Sequence, residues 1–184
     1  MVDMTTKAVE KTFEHEKRTV EIMMSNIKGN SKFVDFMNKR TSTAVIDGFM
    51  VFDELLAYGI EQKSRNITAA LLDEWHDELI INWVKLNNLQ QFAKLSNLPV
   101  HLWTYLIPDD VVIDTMICDA NGDFTTPIRI EHGKYQESAN GGHIIRNVAY
   151  IDASASHHYR FQSQNQTDTS QPFSLIQRFH AATE

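Results

Sequence analysis

The chain has a single cysteine, Cys118, among 184 residues. An intramolecular disulfide and a cysteine zinc site are therefore excluded, and a reducing compartment is expected. No apolar run approaches the about 18 residues that cross a bilayer as a helix. The opening Met-Val-Asp-Met-Thr-Thr-Lys lacks the apolar core of a secretion signal. Positive charge is in deficit: 17 Lys and Arg against 24 Asp and Glu give a formal charge of −7, which disfavours nonspecific adhesion to nucleic acid or anionic membrane. Also lacking are a Walker loop, a Gly-x-Ser-x-Gly elbow and a Rossmann glycine fingerprint. The expectation is a soluble cytoplasmic protein, or one of a host cytoplasm or virion if a virus encodes it.

What is present suffices for a core: 42% of residues are hydrophobic and 10% aromatic, in a length that suits one domain. Over residues 5–28, Val9, Phe13, Val20, Met24 and Ile27 recur at helical period among charges, which predicts an amphipathic helix. A second helix is expected over 31–58, its later part (Val45, Ile46, Phe49, Met50, Phe52, Leu55, Leu56) apolar all round and hence central. A third is expected over 68–95, with Leu72, Trp75, Leu79, Trp83 and Leu86 on one stripe.

Past residue 98 the period falls to two. Segments 111–120 and 124–135 flank Asn121-Gly122, a strong hairpin signal. A two-residue turn there pairs Ile113 with Ile130 and Asp114 with Arg129. A second turn at Asn140-Gly141 pairs Arg129 with Asp152 and Ile130 with Ile151, and 157–163 supplies a fourth strand. The expected fold class is therefore α+β. An N-terminal helical layer of three or four helices (1–98) precedes a three- to four-stranded antiparallel β-meander packed on it (99–163). A polar linker and a short apolar segment (164–184) follow.

That register aligns Asp114, Arg129 and Asp152 across three strands, with Glu131 one step along and His157 beside Asp152. Asp114, Glu131 and Asp152 have the chemistry to hold Mg²⁺ or Mn²⁺ for phosphodiester cleavage, with His157 as base. Without a metal, the same row is a ladder in which Arg129 neutralises two aspartates. A nuclease of the Pro-Asp…(Asp/Glu)-x-Lys type needs its acid and lysine two residues apart, so that both point to one side of a strand. Downstream of Pro108-Asp109 the candidates are Glu131 and Lys134, three apart, and the pattern is not met there.

Two features point to protein partners. From 47 to 78, eight acids (47, 53, 54, 61, 73, 74, 77 and 78) face only Lys63 and Arg65. The group Asp73, Glu74, Asp77 and Glu78 would dock a basic partner. Beyond the polar linker, Phe173, Ile176 and Phe179 have the makings of a docking peptide. The expected function is thus a non-enzymatic interaction protein without a cofactor, an acidic assembly component, inhibitor or immunity-type partner, with homo-oligomers included. The alternative is a divalent-metal-dependent phosphodiester hydrolase using Asp114, Glu131 and Asp152.

Overall fold

Helical periodicity is realised in α1 (Lys7–Asn26), whose apolar side carries the fully buried Ile22 and Met23. The computed structural model describes residues 7–35, 45–136 and 143–162, and beyond α1 it is built mainly of strands. The N-terminal helical layer with a small meander does not form.

Residues expected as the second helix become β1 (Ser31–Asp35), β2 (Gly48–Phe52) and β3 (Leu55–Arg65). Their Val, Ile, Phe and Tyr content favours a pleated, packed surface over a helix. The reversal between β2 and β3 is made by Asp53 and Glu54, both at positive φ (47° and 68°), directly between the paired Phe52 and Leu55. A two-residue hairpin turn normally advertises itself by Asn-Gly; Asp-Glu does not. The third expected helix breaks into α2 (Ala69–Glu74), β4 (Glu78–Asn82) and α3 (Trp83–Ser96). The break falls at His76 and Asp77, again at positive φ (57° and 56°). Thr68 caps α2, its hydroxyl accepting from the Leu71 N–H at 3.1 Å. Asn82 caps α3 by accepting from the Val84 N–H at 2.8 Å.

The remaining strands are β5 (Val100–Leu106), β6 (Val111–Cys118), β7 (Ile128–Gln136), β8 (His143–Asp152) and β9 (His157–Arg160). They make two sheets: six strands in the order β1-β2-β3-β5-β6-β9, and three in the order β4-β8-β7. Only β3 and β5 run parallel in the large sheet, as their crossover through α2, β4 and α3 permits. The large sheet is covered on both faces. On one side α1 packs over Tyr58, Ile60, Trp103, Tyr105 and Val112. On the other, Leu72, Leu79, Ile81, Leu86, Leu89 and Ile151 meet Leu102, Leu106, Val111 and Ile113. All seven residues of β5 are buried, as expected of a strand enclosed on both faces.

The single meander fails because β6 has no free edge: β5 pairs along one side and β9 along the other. Asn121-Gly122 still builds a turn, with the Asp119 carboxylate accepting the N–H groups of Asn121 and Asp123 at 2.9 Å each. Beyond one bridge between Cys118 and Phe124, however, the chain departs to the second sheet. There β7 pairs with β8 as Ile128↔Ile151 and Ile130↔Ala149, two residues from the expected register and so with the same faces. Asn140-Gly141 lies outside the described residues. Gly122 has φ +83°, and a Cβ on it would lie 3.0 Å from both Gln90 O and Lys94 Cβ on α3. Gly122→Ala is therefore expected to lower stability by about 1–3 kcal/mol, measured by urea unfolding; an unshifted midpoint would show that the loop adapts freely.

Candidate functional site

β3 presents different chemistry on its two sides. Tyr58 and Ile60 pack in the core beneath α1, whereas Glu61, Lys63 and Arg65, alternating with them, face α3 and β4. Glu61 is 0% exposed. Lys63 Nζ donates to its Oε1 at 2.5 Å, and Lys85 Nζ, from the first turns of α3, lies 2.8 Å from its Oε2. Both lysines stay partly open to solvent, while the carboxylate they hold is buried.

Asp47, immediately before β2, is held to the same stretch of β3. Its backbone N–H donates to Ile60 O at 2.7 Å, and its Oδ2 accepts the Gln62 N–H at 2.7 Å. The two bonds bracket Glu61. Gly48 lets β1 pack closely on the start of β2, because a Cβ there would fall 2.5 Å from the Phe33 ring and 2.8 Å from Val34 O. Burial raises the Glu61 carboxyl above its ordinary range; Lys63 and Lys85 oppose the rise, and the nearby Asp47 charge adds to it. The two carboxylates lie on neighbouring stretches of chain, and the two lysines on Glu61 leave the group without net formal charge; a divalent cation there would take the place of the lysines on the carboxylate.

The residues singled out from sequence fall elsewhere, and three of the four, Asp114, Asp152 and His157, line one cleft while Glu131 does not. Asp114, on β6, is buried, with Oδ1 2.7 Å from His101 Nδ1; the His101 ring stacks on Tyr58 at 4.2 Å. His157 is paired in register with Asp114, not with Asp152. Asp114, Asp152 and His157 do share the lining of a cleft of about 610 Å³ with His101 and Asp119. Asp152 accepts the Ser154 N–H at 2.9 Å, and its bonds to Ser154 hold its pKa below the usual range.

Glu131 is on the second sheet. There Arg129 donates to Glu78 Oε2 at 2.5 Å and to Glu131, with its guanidinium 4.0 Å above the Tyr150 ring. Arg129 therefore neutralises Glu78 and Glu131, not Asp114 and Asp152, and the expected row does not exist. Because Asp114, Glu131 and Asp152 are divided between two sheets, they form no common ligand set. Among the described residues no group of three or more His, Cys, Asp or Glu side chains is placed to hold a metal; Asp47 and Glu61 are a pair.

The acidic belt is likewise dispersed. Asp47 and Glu61 belong to the centre just described, Asp53 and Glu54 to the β2–β3 turn, and Glu78 to Arg129. Asp73 and Glu74 are exposed at the end of α2, and Asp77 is half-buried beside β4. Phe173, Ile176 and Phe179 lie outside the described residues.

Sequence reasoning missed Asp47, Glu61 and Lys63, though the signal was available. Glu61-Gln62-Lys63 has the acid-x-lysine spacing sought at 131–134, and Ile46-Asp47 stands upstream where Pro-Asp would. Reading 31–58 as a helix and 61–65 as the connection after it hid the pattern, since two-residue spacing aligns side chains only on a strand. No family model, curated protein or solved structure matches the chain.

Proposed function

We propose that the protein is a divalent-metal-dependent phosphodiester hydrolase whose centre is Asp47, Glu61 and Lys63. The observation that carries this reading is the placing of Glu61 and Lys63 on one side of β3, with the Asp47 carboxylate bonded to the peptide N–H between them. Mg²⁺ or Mn²⁺ suits one or two carboxylates, the rest of its shell coming from water and substrate phosphate oxygens. When bound, the ion supplies Lewis acidity to a phosphoryl oxygen and an activated water. Asp47 and Glu61 would hold the ion, and Lys63 would orient and neutralise the phosphate oxygens where negative charge develops. Burial of Glu61 excludes bulk water and strengthens each of these interactions.

Interaction with a protein partner has weaker support, because the eight acids of 47–78 lie at four places in the fold, of which only Asp73, Glu74, Asp77 and Glu78 adjoin one another. Thermal shift with Mg²⁺ and Mn²⁺ tests the centre. At a hundred times its dissociation constant an ion adds about 2.7 kcal/mol, roughly 5–10 °C for a chain of this size. Asp47→Asn is expected to lose most of that response and, with it, hydrolysis of bis(p-nitrophenyl) phosphate. An absence of shift and of hydrolysis in the wild type would overturn the reading.

A further inference from the structure

The cleft shared by Asp114, Asp152 and His157 lies where the chain crosses between the two sheets. β9 pairs with β6 only as far as Asp114. Past that point the β6–β7 connection runs beside β6, its Thr125 N–H donating to Ile117 O at 3.2 Å. The β8–β9 connection approaches from the other sheet, and its Ser156 Oγ lies 2.7 Å from Thr115 Oγ1. Residues of both connections line the cleft, whose volume of about 610 Å³ falls in the range of small-molecule sites. Asp114 alternates with Val112, which packs beneath α1, and so projects from the opposite side of the large sheet to Glu61.

The lining includes Asp114, Asp119, Asp152, His101 and His157, and neither lysine nor arginine. Asp119 is engaged in the turn, accepting from Asn121 and Asp123, and Asp152 stands partly exposed at the rim. Asp114 differs from both in being only 3% exposed. Its Oδ1 is 2.7 Å from His101 Nδ1, and no described residue donates to its Oδ2. A buried carboxylate oxygen without a donor is costly, and the cleft is the side from which a donor can be supplied. Among the described residues no three acidic or histidine side chains converge closely enough to hold a metal ion. The matching cation is therefore one that carries N–H donors on an aliphatic body, which Pro99, Met116 and Pro127 of the lining would contact. We propose that the cleft binds a small organic cation, an aliphatic amine or guanidine, that donates to Asp114 Oδ2 and to Asp152. The aspartates disfavour phosphate there, so this site is independent of the hydrolase centre.

The test is isothermal titration of the full-length protein, at fixed ionic strength, with putrescine, agmatine and 1,4-butanediol, which share one carbon stem. Wild type is expected to bind at least one of the two cations and not the neutral diol. Asp114→Asn and Asp152→Asn should each weaken that binding about tenfold. Asp73→Asn, at the exposed end of α2 and outside the cleft, should leave it unchanged. Melting temperatures are recorded for every variant, and Asp152→Asn, at the rim, tests the site even where Asp114→Asn lowers stability. Tighter binding of agmatine assigns a guanidinium head group to the ligand, and tighter binding of putrescine an ammonium. No binding of either cation by the wild type at millimolar concentration overturns the proposal, as does a diol that binds as tightly as putrescine. Equal weakening in Asp73→Asn also overturns it, since the cations would then be drawn to the net charge of the chain. Unchanged affinity in both cleft variants does the same.

Discussion

Glu61→Gln is expected to reduce metal-dependent hydrolysis by roughly 100-fold or more, because it removes one of two anionic ligands while keeping the shape of the side chain. The same substitution should change how stability depends on pH. Glu61 is 0% exposed, and burial raises its folded-state pKa above the unfolded value. In the window between those two values the folded chain holds a proton that the unfolded chain has released. Stability from this group is then complete below the unfolded pKa and is lost as pH rises through the folded one. Metal-free wild type should accordingly lose stability across that window, and Glu61→Gln should run flat through it. Added Mn²⁺ should oppose the wild-type decline, since a metal-bound carboxylate stays ionised. Chemical denaturation across a pH series, with and without Mn²⁺, measures all three curves. A Glu61→Gln protein that hydrolyses at the wild-type rate would remove Glu61 from the centre.

The second large effect belongs to the opposite side of the large sheet. Asp114 and His101 are a buried pair, 3% and 5% exposed, beneath the aromatic cluster of Tyr58 and Trp103. Asp114→Ala leaves His101 Nδ1 buried without its acceptor and is expected to cost about 3–5 kcal/mol. That lowers the melting temperature by roughly 6–20 °C. Asp114→Asn keeps an oxygen that can accept from His101 Nδ1–H and should cost distinctly less. Equal losses in the two variants would mean that shape, not the hydrogen bond, dominates there. Trp103→Ala, at a fully buried residue of β5, calibrates the core beside them at about 3–5 kcal/mol.

Much of the local information was legible without the fold. Whereas the cap at Asn82 fell inside an expected helix, the apolar period of α1, the strand character from Val111 onward and the turn at Asn121-Gly122 all follow from short-range chemistry. So does the spacing of Glu61 and Lys63, once the segment is taken as a strand. Residues 45–56 were ambiguous because a continuous apolar run satisfies a buried helix and a buried strand equally, and the Asp53-Glu54 reversal carries none of the usual turn residues. Which edges were free was a different kind of question. Only the sheet order reveals that β9, distant in sequence, takes the edge of β6 on which β7 was expected to pair. Moving β7 to the second sheet carried Arg129 away from Asp114 to Glu78, and so dissolved the carboxylate row.

The sequence by itself determined the residue types, their alternation and the acid-x-lysine spacing, all of which act within a few residues. Tertiary structure decided which of those residues meet. Asp47 stands beside the Glu61 stretch because β2 pairs with β3, and His157 stands beside Asp114 because β9 takes the outer edge of β6. Such pairings depend on edge availability and on burial over the whole chain, which no local pattern encodes.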